Sequence, residues 1–568
     1  MPAEDKWNSL PAMMLGLARS WPDRPMLRFW RAGAWRSLSW AEYALQVADI
    51  AAGLRARGVC PGDRVLISAE NRPEFLIADT AVMAIGAVSV PAFTTNTVAD
   101  HAHLLRDSGA RCAIVSTAKL AAAVAEAAGI GGLDLLVSME DSPAATSWGA
   151  LAATRGDLPM LAAEVDQIPS GRLACLIYTS GTGGPPKGVM LPHRAMLANR
   201  RGIAGFIRRL NLPRDACYLS FLPLSHAYEH TVAYLLPSFG IEIVFSRGAE
   251  RLAAELTEIR PQVVTAVPRL FEVLRARILA TLEKQPAMQR RLFEATLRLG
   301  LRRLDGPPLN LLERAQDAVL DRLVRRKMRQ RFGGRLMALV SGGARLDPDL
   351  SGFFLALGLP VLQGYGQTEA GPVVSVNLPW DNDRRSVGKP LPGVTIRIAP
   401  DGEVLVRGAL VMDGYWNNPE ATATALRPEA PGEEPWLHTG DVGALVNGAL
   451  RITDRKRDFI KTLGGEMVSP ARIESLLMAE PEIAQAVVAG EGRAGISALL
   501  VPAEGQTEAA LGAVVQRVNR RLAGVERIRH FVVVPPFTVE NGQLTPTMKV
   551  KRRVVLQAHA EAVDRLYD

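Results

Sequence analysis

The stretch ACLIYTSGTGGPPKGV, residues 174–189, joins a short apolar run to a loop rich in glycine, serine and threonine. The apolar run is typical of a buried strand, and in sheets covered by helices ligands bind where the strands end. Backbone N–H groups of the glycines, the hydroxyls and one lysine can together surround a polyphosphate. The candidate phosphate ligands are Thr179, Ser180, Gly181, Thr182, Gly183, Gly184 and Lys187.

Two other interpretations of this loop stay open on its composition alone. A bare cluster of glycines is most often a surface turn that binds no ligand. The P-loop of nucleoside triphosphatases also combines glycines with a lysine, but it requires the pattern GxxxxGK[ST]. Here Pro186 precedes Lys187 and Gly188 follows it, so the pattern fails at two positions.

Similar short apolar runs alternate with helix-length amphipathic stretches along most of the chain, for example at residues 64–69, 112–117 and 336–343. This alternation predicts an α/β fold in which helices cover the sheets. Around residues 390–408, short alternating strands separated by Gly, Pro and Asp predict a smaller β-rich piece. After a charged stretch near residue 454, a tail of about 110 residues is long enough for one small α+β domain.

The composition excludes several classes of protein. The 568 residues include 66 Lys and Arg against 58 Asp and Glu, and this net charge of +8 is too small to indicate binding to nucleic acid. With 48% hydrophobic and 22% charged residues, the chain is not disordered. The four cysteines fit neither a disulfide framework nor a zinc site. An acidic start and the lack of a long apolar run predict a cytoplasmic protein, which could meet the inner face of the membrane only peripherally.

Residues 178–189 resemble the nucleotide-binding signature of the adenylate-forming superfamily, which includes acyl-CoA synthetases, luciferases and peptide-synthetase adenylation domains. Gly183 stands where family members more often carry Thr, Ser or Glu, which removes one side-chain contact but leaves the backbone cradle. Segments similar to the other motifs of the superfamily follow in the expected order, at residues 221–229, 341–344, 363–369, 436–441, 453–458 and 544–551.

The resemblance implies a nucleotide-binding role for several residues. Tyr365 would offer an aromatic face to adenine, Thr368 a hydroxyl to the α-phosphate, and Glu369 a hard oxygen ligand to Mg²⁺, with Thr182 as a second ligand. Asp441 would bind the ribose hydroxyls, and Arg455 would add a cationic contact. The backbone around the adenine would be supplied by Gly342, Gly343, Ala344, Gly364 and Gly366.

The resemblance also implies catalytic residues, namely Lys549, Glu369, Thr182 and His226. Lys549, in the segment LTPTMKVK, would bridge the substrate carboxylate and the α-phosphate. His226 would lie near the carboxylate, although a lone histidine is more often structural. The superfamily's architecture implies a large domain at 1–453 with a β-rich subdomain at about 385–453, a hinge at 454–458 and a small mobile domain at 459–568. Rotation of that small domain would bring Lys461 towards bound coenzyme A.

The activity implied is ATP-dependent conversion of a fatty acid to acyl-AMP and pyrophosphate, followed by transfer of the acyl group to coenzyme A. The segment VPRLFE, residues 267–272, and the long helical insertion after it resemble bacterial long-chain fatty acid–CoA ligases. ATP, Mg²⁺ and coenzyme A are therefore the expected cofactors and co-substrates. Two alternatives stay open: a fatty-acyl-AMP ligase that loads a carrier protein, and a nucleotide-binding adenylation fold without catalysis.

The net charge is concentrated in one segment. Residues 281–335 contain fourteen Lys and Arg against six Asp and Glu, so the rest of the chain sums to zero. Leu312, Ala315, Val319 and Leu323 recur at helical spacing within it, and arginines lie on the other face. One interpretation is a solvated helix that packs on the large domain. The other is a peripheral contact with anionic lipid.

Overall fold

We describe the protein from a computed structural model that covers residues 7–179, 185–248, 250–456, 459–464, 466–545 and 550–567. Several sequence predictions fall on residues outside these ranges and stay predictions: Ser180, Gly181, Thr182, Gly183 and Gly184 of the phosphate loop, Arg457 and Asp458 of the hinge, and Lys549.

Helices occupy much of the described chain. They are α1 (Leu10–Ser20), α2 (Trp40–Ala56), α3 (Pro73–Ala84), α4 (Val98–Ser108), α5 (Ala118–Ala128), α6 (Trp148–Ala152), α7 (Leu158–Val165), α8 (His193–Leu210), α9 (Ala227–Leu235), α10 (Leu252–Ile259), α11 (Pro268–Glu283), α12 (Ala287–Asp305), α13 (Leu311–Leu320), α14 (Arg326–Arg331), α15 (Pro348–Ala356), α16 (Pro419–Ala425), α17 (Pro470–Met478), α18 (Glu508–Asn519), α19 (Arg552–Ala558) and α20 (Ala560–Asp564). Short 3₁₀ turns lie at Pro237–Phe239, Thr368–Ala370 and Gly524–Glu526, and a π-helical turn, Asp321–Arg325, joins α13 to α14.

Strands alternate with these helices. They are β1 (Pro25–Arg31), β2 (Ala34–Ser39), β3 (Arg64–Ser68), β4 (Val88–Ala92), β5 (Cys112–Val115), β6 (Leu135–Ser138), β7 (Thr146–Ser147), β8 (Leu173–Thr179), β9 (Lys187–Pro192), β10 (Cys217–Ser220), β11 (Glu242–Phe245), β12 (Val263–Ala266), β13 (Ala338–Ser341), β14 (Val361–Gly366), β15 (Val373–Val376), β16 (Lys389–Pro390), β17 (Thr395–Ile398), β18 (Glu403–Arg407), β19 (Gly414–Tyr415), β20 (Leu426–Arg427), β21 (Trp436–Val446), β22 (Ala449–Arg455), β23 (Ile460–Lys461), β24 (Met467–Val468), β25 (Ile483–Ala489), β26 (Ile496–Pro502) and β27 (Ile528–Val533).

Two large sheets form the centre of the molecule. One has the strand order β16-β15-β14-β13-β12-β10-β11-β1-β2, and the other has the order β19-β9-β8-β4-β3-β5-β6-β7. In the first sheet β10 to β14 run parallel, so their carboxyl ends meet at one edge. Apolar faces of α1, α2, α3, α8 and α9 pack against the sheets in one continuous core. This is the α/β arrangement that the alternating pattern predicts.

The two smaller predicted pieces are also present. A third sheet, β17-β18-β21-β20 with β22 on β21, is antiparallel and supplies the β-rich piece. Near the carboxyl terminus, β25-β26-β27 form a separate sheet whose core includes side chains of α17 and α18. The exact boundaries given above for the domains and the hinge stay predictions.

The basic segment 281–335 forms the last residues of α11 and all of α12, α13 and α14. Its packed residues include Leu320 and Met328, whereas Leu312, Val319 and Leu323 are exposed. The segment therefore packs through the row that contains Leu320 and Met328, and the row that begins at Leu312 is exposed to solvent. Helical spacing shows that these side chains share a face, but it does not show whether a neighbour covers that face. Among the described helices, none combines the length and the apolar character needed to span a bilayer.

Candidate active site

One cavity of about 2340 Å³ lies at the carboxyl ends of the parallel strands and extends between the large and the small parts of the chain. Its volume exceeds that of an ordinary single-ligand pocket, so it can hold more than one substrate. Of the described residues predicted from the sequence, its wall includes Thr179, Lys187, His226, Gly342, Gly343, Ala344, Gly364, Tyr365, Gly366, Thr368, Glu369, Asp441 and Arg455. Tertiary folding therefore brings motifs from distant segments of the chain into one site.

A tyrosine and an aspartate from different sheets meet in this cavity. The Tyr365 hydroxyl, on β14, donates a hydrogen bond of 2.7 Å to Oδ2 of Asp441, on β21. Arg455 Nε lies 3.3 Å from Asp441 Oδ1, so the carboxylate is held on both oxygens. Burial, reinforced by the Asp441 carboxylate, holds the pKa of Tyr365 well above its usual range. Tyr365 thus stays a neutral donor and presents its ring to the cavity.

A second contact joins the predicted metal ligand to the phosphate loop. The Tyr415 hydroxyl donates a hydrogen bond of 2.8 Å to Glu369 Oε1, and the Lys187 ammonium lies 5.1 Å from the centre of the Tyr415 ring. Tyr415 belongs to β19, which pairs with β9 directly after Lys187. One side chain therefore fixes the spacing between a carboxylate and a lysine. Sequence reasoning missed Tyr415.

Both described ends of the phosphate loop form hydrogen bonds with side chains of α4. Tyr178, the penultimate residue of β8, donates a hydrogen bond of 2.6 Å to Asp107 Oδ2. His103 Nε2 lies 2.8 Å from the Pro186 carbonyl oxygen at the other end of the loop. Both partners come from α4, so one helix fixes the two described ends of the loop. Because β8 is buried and α4 holds both described ends of the loop, the loop is better interpreted as part of a ligand site than as a surface turn.

Gly342, directly after β13, contacts an aromatic ring of the protein itself. A Cβ atom on Gly342 would lie 2.9 Å from Cε1 of Tyr228, so only glycine permits this approach. The Tyr228 hydroxyl donates to the Val340 carbonyl oxygen at 3.2 Å, which fixes the ring. Tyr228 also lines the cavity and is a second residue that the sequence analysis missed.

His226 caps α9. Its Nδ1 accepts a hydrogen bond of 3.2 Å from the backbone N–H of Tyr228, so a neutral ring carries its proton on Nε2. The side chain also lines the cavity. The structural and the catalytic interpretations of this histidine are therefore compatible.

A buried carboxyl lies directly behind this wall. Glu229 is fully buried and accepts hydrogen bonds from the hydroxyls of Tyr218, Ser220 and Thr265. Burial raises the pKa of Glu229 to about 7, although the three hydroxyls favour the ionised form. It links β10 and β12 to the start of α9, and so it supports the elements that carry His226 and Tyr228.

An apolar part of the cavity follows the face of the first sheet. Val263 and Thr265 of β12 line it, and so do Ala338 and Val340 of β13, which matches the two-residue period of one strand face. The lining continues to Val267 and Gly342 beyond the strand ends, a distance of about 13 Å at roughly 3.3 Å per residue. The opposite wall comes from α8, from α9 and from the residue directly after α9, with Ile203, Phe206, Ile207, Leu210, Val232, Leu235 and Leu236.

The small part of the chain closes the polar side of the cavity. Thr545 and Val550, which flank the segment that contains Lys549, both line it. Arg269 Nη1 donates to the Ala484 carbonyl oxygen at 3.3 Å, and this bond joins α11 to β25. Lys461 does not line the cavity, and its backbone N–H instead donates to Glu491 at 3.0 Å. Its predicted contact with coenzyme A requires a different orientation of the small part.

Lys456, within the predicted hinge, is tied to the β-rich sheet. Its ammonium contacts Asp401 and lies 3.1 Å from Glu403 Oε2, and these carboxylates raise the pKa of Lys456. Its backbone N–H donates to the Gly440 carbonyl oxygen at 2.7 Å, one residue before Asp441. The hinge is thus anchored next to the aspartate that contacts Tyr365.

Most of the chain is similar to known proteins. The model of the AMP-binding enzyme family matches residues 17–416, and that of the AMP-binding enzyme C-terminal domain matches residues 457–568. The chain is 35% identical to the long-chain-fatty-acid–CoA ligase FadD15 of Mycobacterium bovis, over 99% of this chain and 97% of that protein. It is 30% identical to long-chain-fatty-acid–CoA ligase 1 of Homo sapiens, over 93% and 82% of the two chains.

Solved structures share the fold. The adenylation domain of a carboxylate reductase from Mycobacterium chelonae has a TM-score of 0.75 at 23% identity, with 98% of this chain and 91% of that chain covered. O-succinylbenzoate coenzyme A synthetase from Bacillus subtilis, in complex with AMP, has a TM-score of 0.69 at 21% identity, covering 96% and 97%. These likenesses confirm the predicted α/β fold with a large N-terminal and a smaller C-terminal domain.

Proposed function

Because this chain belongs to the AMP-binding enzyme family, we propose that it activates a long-chain fatty acid with ATP and transfers the acyl group to coenzyme A. The observation that carries the proposal is the single cavity in which a polar end, with Asp441, Glu369 and Lys187, continues into an apolar part along β12 and β13. Such a cavity fits an acid whose carboxylate meets a nucleotide and whose chain lies against the sheet.

In the first step, a carboxylate oxygen of the acid attacks the α-phosphorus of ATP. The bond between the α-phosphorus and the bridging oxygen to the β-phosphate breaks, so acyl-AMP forms and pyrophosphate leaves. Both reactants are anions, and catalysis therefore rests on alignment and charge neutralisation. Two unit charges about 4 Å apart interact by roughly 4 kcal/mol at an effective dielectric near 20, so one placed lysine changes the rate greatly.

We assign each side chain a role in this step. Asp441 accepts hydrogen bonds from the ribose hydroxyls, and Tyr365, held by the same carboxylate, stacks on adenine. Lys187 and the phosphate loop bind the β- and γ-phosphates. Lys549 neutralises the reacting carboxylate and the α-phosphate, while His226 contacts the carboxylate from the opposite wall.

Mg²⁺ fits the donors that the site offers. Glu369 contributes one carboxylate to the cavity, and a hydrogen bond from Tyr415 fixes its orientation. Magnesium prefers one or two carboxylates together with phosphate oxygens and water, and the described residues contain no cluster of three or more carboxylate, histidine or cysteine side chains. Glu369, with Thr182, would hold the ion beside the phosphates, where its charge neutralises them.

In the second step, the thiol sulfur of coenzyme A attacks the acyl carbonyl, the bond to the phosphate oxygen breaks, and AMP leaves. The mixed anhydride is already a good electrophile, so no nucleophilic side chain is required. We place this step after a rotation of the small domain that withdraws the Lys549 segment and brings Lys461 to the site.

The protein works in the cytoplasm, and segment 281–335 contacts the inner face of the membrane peripherally.

The test measures pyrophosphate release by the full chain with acids from acetate to oleate, with and without coenzyme A. We expect release only with Mg·ATP, a preference for long chains, and acyl-CoA as the product. Acyl-AMP that accumulates in the presence of coenzyme A would point to a fatty-acyl-AMP ligase. ATP binding without any turnover would point to a non-catalytic fold.

A further inference from the structure

A row of exposed apolar side chains lies on α13 and the π-helical turn after it, and none of them lines the cavity described above. On α13 and the π-helical turn after it, Leu311 is 82% exposed, Leu312 84%, Val319 56% and Leu323 45%. Spacings of three and four residues place Leu312, Ala315, Val319 and Leu323 on one face. Exposed apolar residues are normal when scattered, but a contiguous row of this kind marks an interaction surface. We call this row the α13 stripe.

The orientation of the stripe is fixed by the opposite side of the same helix. Asp317 forms ion pairs with Arg303 at 3.2 Å and with the buried Arg325 at 2.7 Å. Arg325 Nε in turn donates to the Ala356 carbonyl oxygen of α15 at 2.7 Å. Leu320 and Met328 are packed on the same inner side. The stripe is therefore held outward by a buried anchor.

Cations flank the stripe. Arg322, Arg326 and Lys327 are exposed, and among the described residues none of the three forms an ion pair, in contrast to Arg325 and Arg329 next to them. Arg314 lies about two helical turns before Arg322, and its Nε donates to the Leu309 carbonyl oxygen at 3.1 Å. An apolar row between unpaired cations is the pattern of a helix that lies in a membrane interface.

We propose that the α13 stripe inserts into the interface of an anionic lipid bilayer, with Arg322, Arg326 and Lys327 at the headgroup phosphates. Two copies of this chain paired through the same face would bring these cations together, which disfavours a second copy as the occupant. The purpose we assign to the contact rests on the proposed function, since a long-chain acid partitions into membranes. The binding itself does not require activity.

The experiment measures co-sedimentation of the full-length protein with phosphatidylcholine vesicles that contain phosphatidylglycerol, and with vesicles of phosphatidylcholine alone. The stripe variant carries Leu312→Gln, Val319→Gln and Leu323→Gln, and the charge variant carries Arg322→Gln, Arg326→Gln and Lys327→Gln. The matched control carries Leu45→Gln, Ile130→Gln and Met160→Gln, which replace equally exposed apolar residues elsewhere. Thermal unfolding and light scattering of every variant report folding and oligomeric state.

We expect wild type and control to bind the anionic vesicles, and salt to weaken that binding. Each of the other two variants should lose about tenfold in partition coefficient at unchanged melting temperature. Failure of wild type to bind, equal binding by all variants, or equal binding to neutral vesicles would overturn the proposal. A stripe variant that loses a dimer instead of vesicle binding would also overturn it and assign the face to a second copy. Turnover of a dissolved medium-chain acid tests the proposed function separately, because that assay contains no membrane.

Discussion

The Tyr415 hydroxyl donates a hydrogen bond of 2.8 Å to Glu369 Oε1, and through it β19 holds the carboxylate that we assign to magnesium. The ring of the same tyrosine lies 5.1 Å from the Lys187 ammonium. A change at residue 415 can therefore separate two effects, because phenylalanine keeps the ring contact with the lysine and removes the hydrogen bond to the Glu369 carboxylate.

Tyr415→Phe should raise the concentration of Mg·ATP needed for half-maximal pyrophosphate release by tenfold or more. A hydrogen bond to a charged group contributes about 1.5 to 3 kcal/mol, and its loss frees the Glu369 carboxylate to rotate. Titration of Mg²⁺ at fixed ATP measures the effect. Tyr567→Phe is the control, since Tyr567 donates to the Gly495 carbonyl oxygen at 3.0 Å within the small part of the chain. Equal curves for both variants would show that Tyr415 does not position the metal ligand.

Asp441→Asn should weaken ATP binding and abolish the preference for ATP over 2′-deoxy-ATP and 3′-deoxy-ATP. The amide nitrogen would replace one of the two carboxylate oxygens that contact Tyr365 and Arg455. Isothermal titration with the three nucleotides measures the difference. Retained discrimination by the variant would remove Asp441 from the ribose site.

Ala338→Leu should lower kcat/KM for palmitate by about tenfold or more and leave kcat/KM for octanoate nearly unchanged. The leucine side chain would fill the far end of the apolar part of the cavity, which only the longer acid reaches. Overpacking costs about 1 to 3 kcal/mol of stability, so melting temperatures must be recorded as well. Leu339→Met is the matched control, because Leu339 belongs to the same strand but packs in a different core on the opposite face. A uniform loss for both acids would contradict the placement of the acyl chain.

Glu229→Gln should flatten the pH dependence of stability between about pH 4.5 and 7. Burial raises the pKa of Glu229 to about 7 from an ordinary 4.5, so the folded protein binds the proton more tightly than the unfolded chain. The associated stability is fully present below the unfolded pKa and is lost as the pH rises through about 7, with a total near 3 kcal/mol.

Chemical denaturation of wild type and Glu229→Gln across that window gives the free energies of unfolding. Glu126→Gln, at an exposed position on α5, is the control for removal of a surface carboxyl. If the free energies of unfolding of wild type and Glu229→Gln differ by the same amount at every pH, protonation of Glu229 does not contribute to the pH dependence of stability.

Lys549→Ala should reduce pyrophosphate release about a thousandfold while ATP still binds. Loss of one cation about 4 Å from the reacting anions removes roughly 4 kcal/mol at an effective dielectric near 20. Lys119→Ala, on α5, is the control for removal of an exposed lysine. A variant that retains its rate would exclude Lys549 from the adenylation step.

Much of this site could be predicted from the sequence because the motifs are local. The loop after β8, the segment 363–369 and the segment 436–441 each combine a strand end with side chains of defined chemistry. Their order along the chain indicated the family. The fold class followed from the same alternation of strands and helices, because short-range periodicity determines which faces are apolar.

The residues that were missed act across long separations. Tyr415 reaches Glu369 over 46 positions, and Tyr178 reaches Asp107 over 71. Neither contact leaves a periodic signal in the sequence, because the first depends on how two sheets pack and the second on how α4 packs beside β8. The ring on Gly342 is a similar case, since a glycine at a strand end indicates a close approach but does not identify the ring that makes it.

Segment 281–335 shows most clearly which features follow from the sequence and which follow from the tertiary structure. The sequence by itself determined the chemistry of the chain: a phosphate loop, an adenylate-forming order of motifs, and a charge excess confined to one helical region. Only the tertiary structure decided that Leu320 and Met328 are covered while Leu312, Val319 and Leu323 face solvent. The physical reason is that helical periodicity gives the relative directions of side chains, whereas burial depends on which neighbour, here anchored through Asp317 and Arg325, occupies each direction.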